Sequence, residues 1–402
     1  MLSRPTLLAL AALAAFAAPS PAHARRSYTI RVPPFEVPAD KNREICVFTP
    51  LPAKDSKDVM NVGEVRILNI GGKPSFATHH LIVYAYHGKL SDVKAGEVKD
   101  STACLNFGSG NPSDLSIVAT TQGPHARWVT PKGTALRLTP DKDTSGKPVI
   151  GLVLNSHWIN GDSVPHRARA KVTLITRKEK EIKRELKPIF EVVANAFIDV
   201  PPGQIRKVGY RWAPGNPGFS QYGGFLGGTS APTGPACVTM LVGHMHKRGT
   251  LFTADMVDPD GTRTPLYRQT VYNDPVAKIE TPPLLVNVGQ NIAYECTHDN
   301  ATSPRLGCEE QPGVSPGESV LHAISQGGFT KPSGAAKLCT AEGPDAAECP
   351  PTDDKYPGHT YTGNCVKATL VFGFTSEDDM CILPGYYYDA DPNAPAGQEC
   401  TL

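Results

Sequence analysis

The sequence predicts an all-β protein built in two successive β halves. Three observations predict it. Short runs rich in β-branched and aromatic residues recur between turn signals, as in Glu64–Ile70, Leu81–Tyr86, Val149–Asn155 and Ala170–Thr176. The 37 glycines and 38 prolines are spread along the chain with no collagen-like period, which supplies frequent chain reversal. No long helical period stands out beyond the N-terminal segment. At 402 residues the chain exceeds a typical domain of about 100–200 residues, so two domains fit.

The first segment reads as a secretory signal peptide over residues 1–24. Arg4 provides the positive start, Leu7 to Ala18 an apolar run, and Ala22-His23-Ala24 a small-x-small cleavage site. That run is too short to span a bilayer as a helix, and no later segment reaches about 18 apolar residues. A secreted or periplasmic product without a membrane span is expected, beginning near Arg25. The cysteines agree with export. Ten occur (46, 104, 237, 296, 308, 339, 349, 365, 381 and 400), an even number without any C-x-x-C pair. That favours disulfides over a thiolate zinc knuckle. Cys308, Cys339, Cys349 and Cys365 fall within a Gly/Pro-rich stretch, 297–365, which reads as a separately stapled insertion.

Organisation follows composition. Arg177 to Leu186 is densely charged and reads as a solvated connector or the polar edge of a strand. It divides the mature chain into 25–178 and 179–402. Strand pattern resumes at Ile189–Val200 and Val238–Val242, and again at Val366–Phe374 after the insertion. Forty basic against 39 acidic residues leave a formal charge of +1, which excludes the basic footprint of a nucleic-acid binder.

Chemistry concentrates in the histidines. His79 and His80 head a strongly β run. Neighbouring strand residues point to opposite faces, so both reach one metal only if the strand is kinked or bulged there. His157 lies at strand position in Leu154–Asn160 and alone reads as an ordinary hydrogen-bonded histidine. His244 and His246 are spaced i, i+2, so their imidazoles share a face without distortion. His87, His125, His166, His298, His322 and His359 show no such pairing and read as surface or structural. Met380 alone would be packing, although its acidic neighbours are an odd setting for core filler. Together, two histidine pairs, a single histidine and a thioether suit a metal cycling between one-electron states. Imidazole binds both copper states and a thioether favours Cu(I).

Taken in order along the chain, these residues resemble the copper type II, ascorbate-dependent monooxygenases, the family of peptidylglycine α-hydroxylating monooxygenase and dopamine β-monooxygenase. The resemblance runs from about Ile45 to Cys400. It rests on Cys46, His79-His80 before an aliphatic-aromatic strand, His157-Trp158, His244-x-His246, Cys296-Thr297, and Glu377-Asp-Asp-Met-Cys leading into Tyr386–Tyr388. It implies two jelly-roll-like β-sandwich domains in tandem, each holding one mononuclear copper, facing each other across a solvent-filled cleft. His79, His80 and His157 would hold the electron-transfer copper. His244, His246 and Met380 would hold the copper that binds O2 and hydroxylates a C–H bond, with ascorbate as reductant. It also implies Cys296 paired with Cys381 and Cys237 with Cys400. Cys46 with Cys104 follows from it less directly, because the family's partner cysteine near residue 165 is missing.

Other departures bear on substrate. Val242 stands where the peptide-hydroxylating branch has an arginine for a substrate carboxylate, and Ile382 where it has an asparagine. A peptide C-terminus is therefore a poor substrate, and a small organic or otherwise peptide-like molecule is expected. Tyr386, Tyr387 and Tyr388 either line the pocket or pack the core. Three other classes remain open: an exported copper-binding protein without catalysis, a zinc hydrolase using His79, His80 and His157 with a carboxylate base, and a purely structural disulfide-rich sandwich with its histidines scattered in space.

Overall fold

A computed structural model describes residues 26–402 except 216–231, 309–347, 350–360 and 373–378, and a few short breaks (40, 72–75, 101–103, 105–107, 109–113, 273–274, 303, 305, 363–364 and 368). The signal segment, and the bridging of Cys308, Cys339, Cys349 and Cys365, lie outside the described residues.

The first half contributes β1 (Ser27–Val37), β2 (Asn42–Pro52), β3 (Met60–Ile70), β4 (Phe76–Tyr86), β5 (Leu115–Thr121), β6 (His125–Val129), β7 (Thr134–Leu138), β8 (Pro148–Asn160) and β9 (His166–Thr176). The second contributes β10 (Arg184–Glu191), β11 (Ile205–Trp212), β12 (Ala236–Leu241), β13 (His244–Met245), β14 (Gly249–Val257), β15 (Arg263–Gln269), β16 (Lys278–Val286), β17 (Asn291–Asp299) and β18 (Cys381–Asp389). The protein is all-β, two jelly-roll-like sandwiches in tandem.

In the first sandwich, β1-β9-β3-β7 faces β2-β8-β4-β5. Strand β8 lies between β2 and β4 and is buried along nearly its whole length. That explains why Pro148–Asn160 reads as a continuous apolar run rather than an alternating one. Ile30, Ile45, Phe76, Leu152 and Trp158 fill the core between the sheets. In the second sandwich, β10-β18-β12-β16 faces β11-β17-β14-β15 around Val208, Trp212, Phe252 and Tyr294. Strand β17, and β14 from Leu251 onward, alternate between buried and half-buried positions, as one-sided sheet packing requires. Strand β17 runs to Asp299, past the expected start of the insertion at 297, because that alternation carries on to His298.

The charged connector is only partly a connector. After a short 3-10 turn at Glu179–Glu181, the chain enters β10, which belongs to both sandwiches. Arg184–Leu186 pair in parallel with Thr134–Leu136 of β7, and Lys187–Glu191 pair antiparallel with Leu383–Tyr387 of β18. One ten-stranded sheet therefore runs through both halves. The charges that disguised this strand are partly exposed and paired, Arg184 with Asp391 and Lys187 with Asp389.

Strand β18 stands between the two cores. Tyr386 and Tyr388 pack into the first core and Tyr387 into the second, as period-two alternation dictates. Tyr386 also stacks on Trp128 with ring centroids 4.5 Å apart, and its hydroxyl donates to the Val118 carbonyl at 2.9 Å. Among the described residues three disulfides are present: Cys46–Cys104, Cys237–Cys400 and Cys296–Cys381. They agree with the expected pairings and with folding in an oxidising compartment. Among the described residues no helix is long and apolar enough to cross a membrane.

Candidate metal centre

The strand carrying His79 and His80 is bulged where the histidine pair requires it. In the pairing of β4 with β8, His157 lies opposite His80, and Trp158 lies opposite Thr78. His79 is the extra residue of a β-bulge, which turns two consecutive side chains toward one point. The His79 and His80 Nδ1 atoms lie 3.1 Å apart. The ring of His157 is 4.9 Å from that of His79 and 5.1 Å from that of His80, centroid to centroid. One ligand atom from each of the three falls within 4.8 Å of the others.

Neighbouring groups fix which nitrogens face inward. The Asn155 amide donates from Nδ2 to Oε1 of Glu44 at 2.7 Å, and a carboxylate can only accept. The amide oxygen is thereby committed to His80, whose Nε2–H donates to Oδ1 at 2.6 Å. With Nε2 protonated, the His80 Nδ1 keeps its lone pair and directs it toward His79. His157 Nδ1 is buried without a hydrogen-bond partner. Burial, then the neighbouring rings, holds His79 well below the usual imidazole range, and the same causes push His157 down to about 4. Neutral imidazoles with converging lone pairs, one of them orphaned, fit a bound first-row metal, whose bonds to nitrogen are about 2.0–2.1 Å.

Glu44 is the group that sequence reading missed. Its side chain is 8% exposed, with Oε1 3.4 Å from His80 Nε2 and Oε2 3.8 Å from His157 Nδ1. Burial raises its carboxyl, but hydrogen bonding and charge from His80, with help from His157 and Asn155, bring it down to about 2. An acid two residues before Cys46, in phase with it along β2, was the available signal.

The second set is assembled around β13 and the start of β18. His244 pairs with Ile382 and Met245 with Cys381, so continuing the register by one residue sets His246 opposite Met380. Gly243 makes the approach possible, since a Cβ there would lie 2.4 Å from the Phe252 ring. The His244 and His246 rings are 5.3 Å apart. Burial, then His246, pushes His244 down to about 3. Asp379 holds the two arms together. Its Oδ1 accepts from the His246 amide at 2.9 Å and from the Met380 amide at 2.8 Å. Its Oδ2 lies 3.2 Å from Nδ1 of His298, both residues being fully buried. Burial raises the Asp379 carboxyl, and the charge of His298 with the His246 amide outweighs it, leaving the group below its ordinary value. His298 is thus structural, in phase with Ile292, Tyr294 and Cys296 on the buried face of β17. Cys296 and Cys381 lie beside it but are joined in a disulfide, so they offer no thiolate for a metal.

The two sets meet. The His79 and His246 rings are 6.1 Å apart, centroid to centroid, which replaces the expected solvent-filled separation with direct contact of the histidines. A cavity of about 500 Å3 opens beside them, bordered by His80, His244 and Met380. Tyr386 lines it as well as packing the core, and exposed His125 lies at its wall.

No family model matches the chain, and no curated protein matches it. Among solved structures, N-glycanase F (PNGase F) aligns at 9% identity with a TM-score of 0.29, covering 68% of this chain and 88% of that one. A second structure of PNGase F, described as a glycosylasparaginase from Flavobacterium meningosepticum, gives 9% and 0.30 over 68% and 89%. The exported protein XepA of PBSX gives 7% and 0.14 over 67% and 86%. At such TM-scores the likeness carries no argument about the site.

Proposed function

We propose that the chain is an exported copper-dependent monooxygenase, which hydroxylates a C–H bond of a small organic substrate with O2 and ascorbate. The observation that carries this reading is the placement of an all-imidazole set and a histidine–methionine set at the edge of one apolar cavity. His79, His80 and His157 would hold one copper, and His244, His246 and Met380 the other. Bound copper would supply one-electron storage and activation of O2, chemistry that side chains lack.

The chain's own residues do the rest. Asn155 fixes the tautomer of His80, and Glu44 places a buried negative charge beside the all-imidazole set. Asp379 ties the His246 and Met380 backbones to one carboxylate oxygen, which holds the two segments side by side. The apolar walls exclude water from the reacting C–H bond. The cavity also weighs against a non-catalytic copper carrier, which has no use for a substrate chamber.

Metal analysis with an ascorbate-coupled assay tests this reading. About two coppers per chain, and ascorbate-dependent O2 uptake matched by a hydroxylated product, are expected. Met380→Ile should abolish turnover while leaving the fold intact, and undiminished hydroxylation by that variant removes Met380 from the mechanism. Glu44 favours one competitor, a zinc hydrolase, because it places a carboxylate beside His80 and His157. Zinc in place of copper in the purified protein would establish that alternative.

A further inference from the structure

We propose that the cavity takes an uncharged, predominantly apolar organic molecule with a body of one or two rings. Its role as a substrate chamber rests on the monooxygenase reading; the selectivity rests on its walls alone. The volume of about 500 Å3 lies within the range of small-molecule sites, roughly 300–1,000 Å3. Both halves line it with hydrocarbon, including Ile82, Ile117 and Trp128 from the first and Phe190, Val242 and Ile382 from the second.

The charged groups of the lining argue against an ionic guest. Arg127 could attract a carboxylate, but its Nε already donates to Glu64 at 2.7 Å. Glu44, at the His80 end, repels an anion. It also serves a cation poorly, because Oε1 accepts from Asn155 and lies against His80, while Oε2 lies near His157. A cationic guest would have to break that network to reach it. An ion entering the apolar part of the chamber would lose its hydration without a partner. Val242 and Ile382 present only hydrocarbon beside His244 and Met380, so the reacting end of the guest meets no anchor for charge.

Three molecules of one shape test this: naphthylmethanol, naphthoate and naphthylmethylammonium. Each is titrated calorimetrically, near neutral pH and without oxygen, into the full mature chain as purified and again after chelation. The alcohol should bind at least about tenfold more tightly than either ion. Ile82→Trp and Ile117→Trp, which fill the chamber from half-buried wall positions, should each weaken the alcohol about tenfold. Equal or tighter binding of an ion overturns the proposal. So does an unchanged affinity in whichever of the two variants keeps the native melting profile. If two coppers bind yet an ion is preferred, this inference falls alone. If the alcohol is preferred and no copper binds, the chamber stands and the monooxygenase reading falls.

Discussion

His79 and His246 come from different sandwiches, yet their rings lie 6.1 Å apart. The contact joins His79, His80, His157, His244 and His246 into one chain of rings, each within 6.1 Å of the next. Metals held by the two sets would therefore feel each other magnetically. We expect the copper(II)-loaded protein to give a dipole-broadened electron paramagnetic resonance spectrum. His244→Ala, which empties the second set, should sharpen it to that of an isolated centre. Two unbroadened signals in the wild-type protein would mean that the sets operate apart.

Asn155 would act on a bound metal through His80. Replacing it with alanine frees the His80 tautomer and leaves Glu44 without its amide donor. Loss of such an outer partner costs about 10–100-fold in metal affinity. The decrease should be confined to the His79–His80–His157 set, as read by competition with a chelator of known affinity, with the second set unchanged.

Asp379 discriminates between charge and acceptor geometry. Asp379→Asn keeps an oxygen for the His246 and Met380 amides and should fold. Asp379→Ala removes that oxygen and leaves the two buried amides without an acceptor, a loss of about 1–3 kcal/mol for each. Urea denaturation of the two variants should separate them by that margin. Comparable stability would show that the carboxylate does not brace the two arms.

Glu191 gives the fold a pH dependence unrelated to metal. Burial pushes its carboxyl up to about 7, against the pull of the Val193 and Val192 amides. The folded state then holds a proton that the unfolded chain releases from its ordinary value of 4.5, so stability falls as pH rises between those values. The expected decrease is on the order of 3 kcal/mol. Urea midpoints measured across that interval should show it, and Glu191→Gln should remove this contribution.

Much of the site was legible because strand geometry is strict. Consecutive histidines on a strand demanded a bulge, and the β4–β8 register supplies it at His79. The i, i+2 spacing of His244 and His246 needed no adjustment. Glu44, Asn155 and Asp379 were not legible, since each reads locally as an ordinary polar strand or loop residue and gains its role only from a partner distant in sequence. Asn155 bonds across 111 residues to Glu44, and Asp379 across 133 to His246. The shared sheet was hidden for a different reason. The charges on Arg184 and Lys187 mask the buried Leu186 and Ile189 that mark β10 as a strand.

Strand β10 has a mechanical consequence. Its leading residues are laced to one sandwich and its trailing residues to the other, with Tyr386 bolting the seam through Trp128 and Val118. Swinging the halves apart would unzip main-chain pairing, so the molecule has no hinge at this point. The gap between the two histidine sets is set once, when the chain folds, and metals held in them would keep a fixed separation.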